Sequence, residues 1–188
     1  MVNSRVIYIL MIFIPFLTFS QDDFSRKGTL KGQLTISAGK SIELESSIFY
    51  LHGNLEYYTD NRISFSGDIF HSIPPSLSYG EKAFQTQHSM LFGAYYHINK
   101  SRNDLYFGMQ SGLSYVSEAI YGPFFIIPNK YITPILSPVL GYNLFVSKYF
   151  NFFIQGRYMV GHYMRDSQIH TNDFRFSAGL GFQLPTKG

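Results

Sequence analysis

Two short stretches of this chain carry residue types that nucleophilic hydrolysis uses. His88 precedes Ser89, and His170 is followed by Thr171 and Asn172. A hydroxyl nucleophile needs a base within hydrogen-bond reach and an acid that orients that base. Neither stretch has a G-x-S-x-G elbow, and no acid stands where it would orient either histidine. A second constellation is His71, His88, His162 and His170, since imidazoles suit zinc and copper. Their spacing matches no metal motif, and phosphate-loop, dinucleotide and calcium-loop signatures are absent. The expectation is therefore no catalytic residue, no cofactor and no metal ligand.

The charged residues are more telling. Glu56, Arg62, Asp68, Arg157 and Arg175 each fall on the polar side of an alternating stretch. Pairing two such stretches around Thr59-Asp60-Asn61 sets Glu56 near Arg62 and Tyr50 near Asp68. Arg157 and Arg175 fall on the inner faces of the last two stretches. They would need acidic partners, because an unpaired buried charge is costly. The expectation is a polar interior network of these five residues.

The elements that must position them are strands. Asp173 to Leu184 (DFRFSAGLGFQL) alternates without a break. Phe174, Phe176, Ala178, Leu180, Phe182 and Leu184 fall on one side, and Arg175, Ser177, Gly179, Gly181 and Gln183 on the other. A strand's side chains point to opposite faces with period two. Similar stretches run from Lys31 to Gly39, Ser47 to Tyr57, Arg62 to Phe70, Gln87 to Ile98, Leu105 to Tyr115, Ile135 to Val146 and Phe152 to Tyr163. That makes eight strands, and connections after the second, fourth and sixth are short. Bacterial membrane barrels have even strand counts, short periplasmic turns and longer outer loops. The longest connection, Val116 to Pro134, includes the apolar run GPFFIIP. Phe124, Phe125, Ile126 and Ile127 in it are a candidate contact surface for a partner, since exposed apolar patches mark interaction sites.

A water-soluble barrel would bury its apolar face inside. Here the bulky side is apolar and the other collects charged, amide, hydroxyl and glycine residues, the arrangement of a membrane barrel. The aromatic content is 18%, with fifteen Tyr and nineteen Phe but no Trp, so tyrosine must serve at the membrane interfaces. Ahead of the strands, Arg5, the apolar run Val6 to Phe19, and small Thr18 and Ser20 before Gln21 form an export signal over residues 1–20, cleaved before Gln21. Residues 21–30 read as a polar lead, 31–184 as the barrel and 185–188 as a tail. Without the leader, fourteen basic face twelve acidic residues, a formal +2. That charge is too weak and scattered to indicate nucleic acid. The chain has no cysteine, so disulfides and thiolate metal sites are excluded.

The pieces LFGAYYHI, LGYNLFVSKYFNFFIQGRY and FSAGLGFQL resemble the small outer-membrane β-barrels of the OmpA-like and OmpX-like kind, in the form common among Bacteroidetes. The resemblance covers Lys31 to Leu184 and carries no catalytic residue. It implies an all-β, eight-stranded antiparallel barrel in the outer membrane of a Gram-negative bacterium, monomeric and surrounded by lipid. The expected role is non-enzymatic: a structural, adhesive or partner-binding surface protein. The first alternative is a narrow pore for ions or small solutes, lined by charge. The second is a lipid-modifying enzyme built on the histidine-bearing stretches.

Overall fold

The computed structural model describes residues 25–42, 47–73, 83–121, 126–161 and 172–186. Eight strands follow one another: β1 (Thr29–Ser41), β2 (Ser47–Tyr58), β3 (Ile63–Ile73), β4 (Ala83–His97), β5 (Asn103–Tyr121), β6 (Ile126–Phe145), β7 (Phe150–Gly161) and β8 (Asp173–Pro185). Each pairs antiparallel with its neighbour, and β1 pairs with β8, so the sheet closes. Closure satisfies the backbone groups of what would be two open edges, the condition for a sheet to stand in lipid.

Burial alternates along the strands as the period-two pattern requires. In β8 Phe174, Phe176, Leu180, Phe182 and Leu184 face outward, while Asp173, Arg175, Ser177 and Gln183 are buried within. The expected facing of β4 and β6 holds as well: Met90, Phe92 and Leu140 are exposed, and Leu91, Tyr95 and Val139 are buried. The outer wall is a continuous apolar surface. Leu34 is 69% exposed, and Met90 and Phe92 are each 63% exposed. Exposure this extensive on a closed sheet marks a hydrocarbon-facing band rather than a water-facing one. Exposed tyrosines rim it. Tyr57, Tyr96 and Tyr149 lie near the short turns, and Tyr115 and Tyr158 near the opposite end. Their rings and hydroxyls suit that boundary without tryptophan.

Three expectations are corrected. Val116 to Pro134 is not a long loop. β5 and β6 stay paired from Leu113↔Pro134 out to Tyr121↔Ile126, so Ile126 and Ile127 belong to a strand. Phe124 and Phe125 lie outside the described residues, as do residues 1–24 with the expected export signal. At 19 and 20 residues, this hairpin far exceeds the roughly 9–11 residues that a tilted strand needs to cross a bilayer. It therefore extends well past the apolar band. Two prolines of β6 are accommodated in the wall. Pro134 and Pro138 point outward, and the β6–β7 register skips Ser137 and Pro138, where proline has no N–H to give.

The second correction concerns the polar lead. Thr29 and Leu30 are already in β1. Before them the chain turns at Gly28, whose φ of +73° suits glycine. Thr29 N–H donates to Arg26 O at 3.0 Å across that turn. The turn sends the Arg26 side chain into the barrel, where it is 1% exposed. Asn61 Oδ1 in the β2–β3 turn accepts from Arg26 N–H at 2.8 Å and Lys27 N–H at 3.2 Å. Thr186 N–H donates to Gly28 O at 2.7 Å, so the first residues of the expected tail also join the rim.

The third correction is that the interior is not uniformly small or polar. Ile48, Tyr50, Phe70, Leu91, Val116, Tyr131, Ile135 and Met159 form an apolar cluster inside the bore, toward the end away from the short turns. Interior glycines make room by letting the wall close tightly between β4 and β5. A Cβ on Gly112 would lie 1.9 Å from Met90 O, and one on Gly93 would lie 2.1 Å from Met109 O. Gly32, on the outer face, has nothing within 4 Å of its would-be Cβ. Gly112→Ala should therefore destabilise the barrel by about 1–3 kcal/mol, while Gly32→Ala should stay within about 0.5 kcal/mol. Urea unfolding in detergent micelles, with the heat-dependent gel shift as a fold check, measures both.

Candidate functional site

Among the described residues the bore holds four buried cations, Arg26, Lys31, Arg157 and Arg175, and four buried carboxylates, Glu56, Asp68, Asp104 and Asp173. Each cation has its own carboxylate. Arg26 Nη1 lies 2.6 Å from Asp104 Oδ1, Lys31 Nζ 2.5 Å from Glu56 Oε2, Arg157 Nη2 2.8 Å from Asp68 Oδ1, and Arg175 Nη2 2.8 Å from Asp173 Oδ2. Desolvated ions persist only when paired and further hydrogen-bonded. The bore meets that demand in three tiers.

The tier nearest the short turns centres on His97 of β4. Its Nδ1 lies 2.7 Å from Asp104 Oδ2 and its Nε2 3.2 Å from Glu56 Oε1. Ser64 Oγ donates to Glu56 Oε1 at 2.6 Å, and Asn143 Nδ2 donates to Asp104 Oδ2 at 3.2 Å. The Arg26 guanidinium packs against the rings of Tyr58 and Phe145, and also donates to Asn99 O. Ser25–Gly28, anchored by Arg26, thus stops this end of the bore.

The middle tier centres on Asp68 of β3. Its Oδ1 receives Arg157 and lies 2.7 Å from His52 Nε2. Its Oδ2 accepts from Asn54 Nδ2 at 3.0 Å, Ser66 Oγ at 3.1 Å, Tyr95 Oη at 3.1 Å and Gln110 Nε2 at 2.5 Å. Gln110 Oε1 in turn accepts from Arg157 Nη1 at 2.9 Å. Six donors from five strands therefore meet on one carboxylate and tie opposite walls together.

In the third tier the Arg175 guanidinium lies 4.0 Å from the Tyr50 ring centroid and 4.7 Å from that of Phe70. Tyr50 Oη donates to Gln87 Oε1 at 2.8 Å and to Asp173 Oδ2 at 3.3 Å. Stacked planar cations of this kind gain from the ring faces once water is excluded.

Of the five expected network residues, Glu56, Asp68, Arg157 and Arg175 are inside and Arg62 is not. Arg62 lies in the β2–β3 turn, exposed, and donates from Nη1 to Tyr96 Oη at 2.8 Å. The β3 register is displaced by four residues from the pairing expected around this turn. Glu56 therefore faces Ser66, and Tyr50 faces Ser72 rather than Asp68. Arg157 and Arg175 are direct cross-strand partners, as their positions implied, and each turns to a different acid. Arg26, Lys31, His97, Asp104 and Asp173 were not foreseen. Lys31 and His97 have the inward parity of their strands, a signal that was present but unused.

The hydrolytic reading of His88-Ser89 fails on strand geometry. Ser89 points inward, 3.1 Å from Ser114 Oγ and 3.2 Å from Arg175 Nη2, while His88 points outward beside His71. Adjacent strand residues on opposite faces of a wall cannot act as nucleophile and base. His162 and His170 lie outside the described residues. His71 and His88 face outward, away from the bore, on adjacent strands. Among the described residues no group of three metal-ligating side chains occurs.

The fold has solved counterparts. Neisserial surface protein A superposes with a TM-score of 0.56 at 15% identity, over 84% of this chain and 96% of that one. Ail, the attachment invasion locus protein of Yersinia pestis, gives 0.60 at 13% identity, over 84% and 99%. The outer membrane protein OprG of Pseudomonas aeruginosa gives 0.55 at 10%, over 85% and 97%. No family model and no curated protein matches the sequence. The fold is that of the small eight-stranded outer-membrane barrels.

If Asp68 is the hub, its pairing with Arg157 is strongly coupled. Arg157→Met alone should cost about 3–5 kcal/mol by stranding a buried carboxylate. The double variant Asp68→Asn/Arg157→Met should lose less than the sum of the singles by about 0.5–3 kcal/mol. Arg62→Ala should leave the unfolding midpoint unchanged. A double-mutant cycle by urea titration in micelles checks all three.

Proposed function

We propose that this chain is an exported, monomeric outer-membrane protein whose barrel is a closed pedestal and whose far connections make contacts at the cell surface. The leader would be removed before Gln21, and lipid would cover the apolar band. The observation that carries this reading is that, among the described residues, each of the four buried cations is paired with its own buried carboxylate inside the bore, Arg157–Asp68 crossing it and Arg26 lying at one end. Charges that satisfy one another offer little to a passing ion, which needs sites it can enter and leave. A bore crossed by Asp68–Arg157 is therefore better suited to rigidity than to conduction.

The contacting role rests on two supports. The β5–β6 hairpin is long enough to reach beyond the apolar band, Ile126 and Ile127 open β6, and Phe124 and Phe125 immediately precede them in sequence. Among the structural counterparts, Ail is named for attachment and invasion and has been solved with a heparin analogue. A surface-attachment role for this chain is consistent with both. The opposed directions of His88 and Ser89 support a non-enzymatic role.

Purified protein in planar bilayers should show no stable conductance steps, and steady open levels would favour the pore instead. Bacteria displaying the chain should adhere to cultured epithelial cells more than bacteria displaying Phe124→Ser/Phe125→Ser. Equal adhesion at equal surface expression would remove the hairpin tip from the proposal.

A further inference from the structure

On the outward face, away from the bore, His71 of β3 and His88 of β4 are direct cross-strand partners. Their rings stack with centroids 4.3 Å apart and planes 15° from parallel. Tyr115 of β5, opposite His88, extends the stack with centroids 6.2 Å apart. The other histidines of the described barrel differ in kind: His52 and His97 each sit on a carboxylate. Among the described residues no carboxylate pairs with His71 or His88, and the buried Nδ1 of His88 has no hydrogen-bond partner there. Next to them toward the middle of the wall stand Ile69 and Met90, both exposed apolar side chains. The pair lies in the part of the apolar band farther from the short turns, beside Tyr115, with the exposed Ile73 and Phe49 beyond it on β3 and β2.

We infer that His71 and His88 form a two-imidazole chelate for a divalent transition metal ion on the outer wall of the barrel. Two imidazoles side by side are the ligand type that copper, nickel and zinc select. Metal–nitrogen bonds of about 2.0–2.1 Å need the two nitrogens within about 4.2 Å of each other. The stacked rings hold their lone pairs nearly parallel, so chelation requires both rings to turn about their side-chain torsions until the nitrogens converge on one ion. Directly opposed strand positions hold their Cβ atoms at about 4.5–5.5 Å, so the backbone need not move. With two protein ligands the remaining positions are open, to be filled by water or by oxygen ligands at the membrane surface.

The test is isothermal titration of the full-length protein in detergent micelles with copper(II), then nickel(II), at pH 7.5. The wild type should bind one equivalent with an affinity in the micromolar range. His71→Ala and His88→Ala should each weaken it by more than roughly tenfold, with the heat-dependent gel shift showing that both fold. Binding should fade below about pH 6, where free imidazoles hold protons that compete with the metal. Wild-type affinity in the double variant would place the ion elsewhere, and absence of saturable binding by the wild type would overturn the site outright. An unchanged affinity in either single variant would also contradict a two-imidazole chelate.

Discussion

A charge removed from water must find its opposite, and that requirement governs the inside of this barrel. Arg26, Lys31, Arg157 and Arg175 stand beside Asp104, Glu56, Asp68 and Asp173, one to one. Two of these pairs, Arg157–Asp68 and Arg26–Asp104, join elements that are not neighbours, while Lys31–Glu56 joins adjacent strands and Arg175–Asp173 lies within β8. Asp68 on β3 meets Arg157 on β7, and Lys31 on β1 also reaches Asn143 on β6. Each such bond acts as a strut between walls that the strand ladder alone connects only around the circumference. The outer surface follows a simpler rule, since hydrocarbon asks only for apolar bulk and satisfied backbone. One closed sheet meets both demands because the strand period separates its two faces.

This division explains why much of the fold was legible from the residues. The alternation of DFRFSAGLGFQL sorts β8 without ambiguity, and the same logic assigns the faces of β4 and β6 despite Pro138. Loop and strand at Val116 to Pro134 were misjudged because proline and aromatic clusters mimic a connection. A wall strand tolerates an outward-facing proline when one ladder bond can be dropped, as at Pro138. Arg62 was misplaced because parity is preserved when the register moves by an even number of residues, here four, yet every cross-strand neighbour shifts.

The site was legible only as a face. Glu56, Asp68, Arg157 and Arg175 could be assigned inward, but their partners could not, because cross-bore proximity depends on strand tilt and closure. Arg26 was hidden for a different reason. It lies in a polar segment with no alternation, and only the turn at Gly28 and the acceptor on Asn61 direct it into the bore. His71 and His88 came together through register alone, which no spacing rule anticipates for residues in separate strands.

Because the chain has no cysteine, single cysteines can be placed along β8 and spin-labelled in lipid bilayers. Relaxation by oxygen, which partitions into lipid, and by a water-soluble nickel chelate then reports each position's surroundings. Labels at 174, 176, 180 and 182 should respond to oxygen, while labels at 177 and 181 should be reached by neither agent. Strong nickel-chelate relaxation at 177 and 181 would mean a water-filled bore, and the same response at 176 and 180 would mean that the outer wall faces water.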